Sequence, residues 1–168
     1  MIARRHLVLG MAGLAAGCGF HPLYQQGTTQ QAALQAVYVN IIPNRYGQLL
    51  RQALQARLEG DDSGVAKQYL LTVVSSESVQ ALGVQSDNST TRNRDVGNAV
   101  WSLHSVNDPA KQLAGGTVRS VDGYNIIDEQ FFYEDMEEDQ AQRRLAEALA
   151  DQIVTGLALY FGKHPPKA

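Results

Sequence analysis

The sequence predicts an α/β sandwich: a four-stranded mixed sheet with two helices packed on one face, in the order β-α-β-β-β-α. Three observations predict it. An apolar stripe near the C-terminus, Leu145 to Tyr160, repeats at helical spacing. Before it, three long alternating segments follow one another through short polar turns, as in a meander. Ahead of those, a strand-like run leads through a proline into a second helical pattern.

The chain begins with Arg4, Arg5 and His6, followed by the uncharged run LVLGMAGLAAG, Leu7 to Gly17. A basic start, a short apolar run and small residues at its end are the pattern of an export signal, here residues 1–17. The run is shorter than the roughly 20 residues that span hydrocarbon as a helix. Cys18 follows at once and is the only cysteine. Within the chain it has no disulfide partner, so the fold stands without staples. Ala15-Ala16-Gly17-Cys18 is similar to a bacterial lipobox, with alanine where leucine is usual. Its cysteine is thus the expected site of lipid attachment, at roughly 0.8 kcal/mol per buried CH₂. Gly19, rather than aspartate, follows it. By resemblance to known sorting rules, that points to the outer membrane.

Residues 18–35 are polar, glutamine-rich and carry Pro22, and read as a lipidated tether. A single domain is expected over 36–162, with a flexible tail at 163–168. AVYVNII, Ala36 to Ile42, is the first strand, with Val37, Val39 and Ile41 on one face and Pro43 at its end. Tyr46, Leu50, Leu54 and Leu58 then repeat every four residues, predicting a helix over 45–59 with Asn44 as its cap and Gly60 as its stop. Lys67 to Val84 and Thr90 to Val106 alternate as long strands. On the second of these, Ala99, Trp101 and Leu103 face one way and Val96, Val100 and Ser102 the other. Asn107 to Gln112 reads as a turn, and the third long strand as about 113–125, with Gly115-Gly116 marking a bulge or a close approach. Leu145, Leu149, Ile153, Leu157 and Tyr160 trace the stripe of a helix over about 136–161. Acids crowd its start, matching the helix dipole, and Gly156 is a weak point inside it.

The composition narrows the function. Lys and Arg total 14 against 17 Asp and Glu; without Arg4 and Arg5 the basic count is 12 and the net charge about −5. No cationic field is present to hold nucleic acid. The sequence has no G-x-G-x-x-G, P-loop, H-E-x-x-H or G-x-S-x-G, so no catalytic residues, metal ligands or cofactor are assigned. Asp61-Asp62 reads as turn chemistry; Asp128-Glu129 with the acids after them offers carboxylates to a metal but reads rather as a solvated, dipole-matched helix start. His104 flanks Leu103 on a strand; a hydrolase would most simply use it with Ser102 or Ser105. Arg92 and Arg94 stand two apart on one strand and so share a face. With Arg119, and with Lys67 extending the patch, they either keep an open sheet face soluble or grip phosphate.

Three stretches in order carry a family resemblance: GCGFHPLY (Gly17 to Tyr24), VNIIPNRYGQLLRQALQARL (Val39 to Leu58), and SVDGYNIIDEQFFYEDMEEDQAQRRLAEALADQIVTGLALYF (Ser120 to Phe161). The chain resembles the LptE family of lipopolysaccharide-assembly lipoproteins in its alphaproteobacterial form. Tyr124, the aromatic run Phe131-Phe132-Tyr133 and the closing Tyr160-Phe161 match its pattern. The resemblance implies a non-enzymatic lipoprotein, lipid-anchored by Cys18 on the periplasmic side of the outer membrane. It implies a plug inside a large LptD-type β-barrel that exports lipopolysaccharide, help in maturing that barrel, and contact with lipopolysaccharide itself. The rival is an independent periplasm-facing lipoprotein holding a lipid or small molecule in an apolar pocket between helices and sheet.

Overall fold

The computed structural model describes residues 29–59, 64–84, 90–126 and 131–165. Cys18, the leader, Gly60, Asp61-Asp62 and Asp128-Glu129 lie outside the described residues. The elements run α1 (Thr29–Gln35), β1 (Val37–Val39), α2 (Arg45–Leu58), β2 (Tyr69–Val84), β3 (Thr90–Ser105), β4 (Asp108–Asn125) and α3 (Phe131–Lys163). The sheet order is β1-β2-β3-β4. β1 pairs parallel with β2 across the α2 crossover, and β2-β3-β4 form the antiparallel meander. The sheet is therefore mixed, as expected.

α1 was not expected. It falls in the segment read as tether, yet Ala33 and Leu34 are buried and Gln30 Nε2 donates to the Ala158 carbonyl of α3 at 2.6 Å. A seven-residue helix is too short to hold alone, so its stability comes from packing on α3.

β1 is also shorter than the apolar run that encodes it. Val37 and Val39 are buried, but Ile41 is 81% exposed and Ile42 takes the core position instead. The chain leaves the strand register after Val39, which changes the side each residue faces. Arg51 Nε donates to the Val39 carbonyl at 3.3 Å, covering part of this free edge.

Asn44 precedes α2 as expected, but its side chain makes no capping bond, and its backbone sits at φ 71, ψ 164. That region is nearly reserved for glycine and costs about 1–3 kcal/mol for other residues. Asn44→Gly is therefore expected to raise Tm by a few degrees after glycine's own entropy cost. An unchanged or lower Tm in a thermal melt would count against the strain.

α2 and α3 lie parallel on one face of the sheet. Arg45 pairs with Asp139 and, three turns on, Arg57 Nε meets Asp151 at 2.5 Å. Exposed pairs of this kind set register more than they stabilise. The apolar stripes do the holding. Leu50, Leu54 and Leu58 of α2 and Leu145, Leu149, Ile153, Leu157 and Phe161 of α3 are buried against Val37, Val39, Leu71, Val73, Ala99, Trp101 and Leu103.

β4 begins at Asp108, so the turn is tighter than the sequence suggests. Pro109 is tolerated because β4 is an edge strand. The register shifts fall around His104, not at Gly115-Gly116. That glycine pair marks a close approach: a Cβ at Gly116 would lie 3.2 Å from Trp101 Nε1. Gly156 on α3 serves the same ring from the other side, where a Cβ would lie 2.8 Å from Cζ2.

Candidate functional site: the open face of the sheet

Strand alternation sorts the side chains into two faces. On β3, Gly97, Ala99, Trp101 and Leu103 look toward the helices and are buried. The residues between them look the other way, and none of the described helices covers that side. Val74 and Val100, cross-strand partners there, are 68% and 54% exposed. Ser76, Ser78, Thr72, Asn98 and Thr117 surround them with hydroxyl and amide groups on the same face. The result is a long mixed surface rather than a purely apolar one.

Arg92, Arg94 and Arg119 all project from this open face and are exposed. Arg92 and Arg94 sit about 7 Å apart along β3. Arg94 is held by Gln80 of β2, whose Oε1 accepts from Nε at 3.2 Å and Nη2 at 2.5 Å. Opposite Arg94 on β4 is Gly123. A Cβ there would meet the Asn93 carbonyl oxygen at 2.9 Å and stand 3.8 Å from Arg92 Nε. The missing side chain leaves a shallow hollow of about 300 Å³, with Arg92, Arg94, Leu82, Val121 and Asp122 around it. Two guanidinium groups on one hollow can present parallel N–H donors to a phosphate oxygen set.

The third arginine does not join them. Arg119 pairs with Asn98, four residues along β3 from Arg94, which puts it about 13 Å further down the strand. The Val96–Val121 pair lies between. Lys67 is also separate: its ammonium donates to the Gln35 carbonyl at 2.9 Å and lies 3.8 Å from Glu59.

Residues 34–157 match the family LptE, described as Lipopolysaccharide-assembly. This chain belongs to the LptE family. Its match begins inside α1 and ends within α3, so it takes in every strand and the open face. No curated protein matches the chain in sequence.

Solved structures resemble the LptE-family fold seen here. A protein from Caulobacter crescentus CB15 described as a lipoprotein shares 23% identity, with a TM-score of 0.66, covering 83% of this chain and all of its own. A minor lipoprotein from Acinetobacter baumannii shares 18%, with a TM-score of 0.57 over 79% of this chain and 94% of its own. Rare lipoprotein B from Shewanella oneidensis shares 12%, with a TM-score of 0.55 over 76% and 96%. At these identities the likeness speaks to the fold.

Other candidate chemistry can be placed on this LptE-family domain. His104 Nε2 lies 3.0 Å from Ser102 Oγ, the contact a hydrolase would need. Its Nδ1 is buried without a hydrogen-bond partner among the described residues, so no carboxylate orients the ring as a base. His104→Ala is therefore expected to leave lipopolysaccharide assembly intact. A loss of assembly with the fold preserved would reopen a catalytic reading. Among the described residues no group of three or more His, Cys, Asp or Glu is arranged to hold a metal ion. None of the described helices is long and apolar enough to cross a membrane.

Proposed function

We propose that this LptE-family chain is a non-catalytic outer-membrane lipoprotein, anchored on the periplasmic side through acylated Cys18. It seats in the lumen of an LptD-type β-barrel, helps that barrel assemble, and meets lipopolysaccharide phosphate with Arg92 and Arg94. The observation that carries the reading is the uncovered sheet face. It spans strands of 16 residues, about 53 Å long. It is rich in hydroxyl, amide and guanidinium groups, and so suits the polar wall of a barrel interior. A lipid tether adds to this by raising the effective concentration of the domain at the membrane that holds its partner.

The deciding experiment is purification of the acylated protein from membranes in gentle detergent. A large outer-membrane barrel is expected to accompany it, and depletion of the protein is expected to lower surface lipopolysaccharide. Recovery of the protein alone, with surface lipopolysaccharide normal on depletion, would end the proposal.

The arginine pair has its own test. Arg92→Ala with Arg94→Ala is expected to weaken binding of purified lipopolysaccharide by about tenfold, near 1.4 kcal/mol. Added salt should narrow the difference, since the groups are exposed. Arg119→Ala, displaced along the sheet, should change binding less. Equal losses from all three positions would show a diffuse charge effect instead of a paired site.

A second reading, an independent lipoprotein that holds a small ligand, draws on the groove between β4 and the end of α3. Trp101, Leu113, Tyr160, Lys111, Lys163 and His164 line it. It carries two ammonium groups, whereas that reading expects an apolar pocket between helices and sheet.

A further inference from the structure

Beneath the first half of α3, three polar side chains from three elements converge on Gly97. Glu77 is the cross-strand partner of Gly97 in β2, Asp95 stands two residues before it on the same face of β3, and Tyr46 comes from α2. A Cβ at Gly97 would lie 2.5 Å from Tyr46 Oη and 3.0 Å from Leu145 Cδ2, so the glycine is what admits the hydroxyl. Asp95 is fully buried. Both its carboxylate oxygens, Glu77 Oε1 and Tyr46 Oη are buried with no hydrogen-bond partner among the described residues.

Two ionised carboxylates in such a place are costly. The charged neighbours do not relieve them. Asp122 and Tyr124 face the cluster from β4, Glu77 from β2, Tyr46 from α2, and Glu138 and Arg144 from α3. The one cation among them is already committed, with Arg144 Nε on Asp122 Oδ2 at 2.6 Å. Burial, then Glu138 and Asp122, hold the Asp95 carboxyl above its ordinary range, against the pull of Arg144. Burial, then Asp95 and Glu138, do the same to Glu77, against a hydrogen bond from Gln142.

We propose that Asp95 and Glu77, covered by Tyr46, keep a proton between them and work as a clamp: protonated, they fasten the first half of α3 to the sheet, and ionised, they slacken it. Tyr46 has a single O–H to give to these several carboxylate oxygens, and a protonated carboxyl supplies a second donor. The sign follows from linkage. The folded state holds a proton that the unfolded chain releases near pH 4, so the clamp's contribution is complete below that pH. It is lost as pH rises through the raised folded value.

The test uses the mature chain, comparing wild type with Asp95→Asn, an uncharged isostere. Thermal unfolding from pH 4 to pH 8 should give similar Tm values at the acid end. At pH 8 the variant should melt several degrees higher. Amides of residues 134–145 should exchange about tenfold faster in wild type than in Asp95→Asn at pH 8, and alike at pH 5. A Tm difference that does not change with pH would overturn the clamp. So would a carboxyl ¹³C titration of wild type that places Asp95 in the ordinary carboxylate range. Glu77→Gln should shift Tm in the same sense. With the wild-type titration, it decides the matter if Asp95→Asn fails to fold.

Discussion

Trp101→Ala is expected to cost the domain about 3–5 kcal/mol, lowering Tm by roughly 10–20 °C. The ring is 6% exposed and lies between α3 and β4, with Gly156 on one side and Gly116 on the other. Few other residues could fill that slot, because both neighbours have given up their side chains to admit an indole. A domain of this size has about 5–15 kcal/mol in total, so this one truncation removes a large share. The pairing with Gly156 makes the claim sharper. Gly156→Ala gains about 1 kcal/mol of helix propensity. Its Cβ, however, would sit 2.8 Å from a ring carbon that cannot swing aside. In wild type the overpacking should win, for a net loss of about 1–2 kcal/mol. In the Trp101→Ala background the wedge is gone, and the same substitution should stabilise. Denaturant unfolding of the four proteins measures the coupling. The same sign for Gly156→Ala in both backgrounds would show that the ring and the helix are not in register.

Cys18→Ala is expected to abolish lipid attachment, and with it the protein's place at the membrane. One acyl chain gives only marginal, reversible binding, and two or more give stable anchoring. The loss therefore falls across a threshold. Mass spectrometry of the wild-type protein should find an N-terminus at residue 18 bearing acyl chains. The alanine variant should lack them, leave the detergent phase, and fail to maintain surface lipopolysaccharide although its domain still folds. A wild-type protein that begins at Met1 without fatty acid would remove the anchor from the account.

Much of this fold is legible in the sequence, for a simple reason. The large apolar residues of α2 and α3 repeat at helical spacing, and those of β2 and β3 alternate, so period alone separates them. The open face was legible too. Arg92 and Arg94 have the opposite parity to Ala99, Trp101 and Leu103 on one strand, and a strand has only two sides. What stayed hidden needed partners. TQQAALQ offers two small apolar residues and no full period, and becomes a helix only against α3. Arg119 could not be grouped or separated without the β3–β4 register. The burial of Asp95 had a faint signal, since it shares parity with Gly97, Ala99 and Trp101. Yet charge argued for exposure, and only the helix lying over that end of the sheet decides otherwise. Asn44 shows the reverse case: the residue type suits a cap, but the backbone places its side chain where no capping bond forms.

The contact between Gln30 and Ala158 has a topological consequence. The described chain starts and finishes at one pole of the molecule, where α1 lies on the last turns of α3. At the opposite pole β2 meets β3, with Val84 against Thr90, and neither end of the described chain lies there. A socket that receives this domain by that pole has no strand end to thread. A pull on the lead-in chain would be resisted first by α1 peeling from α3, well away from whatever grips the far side.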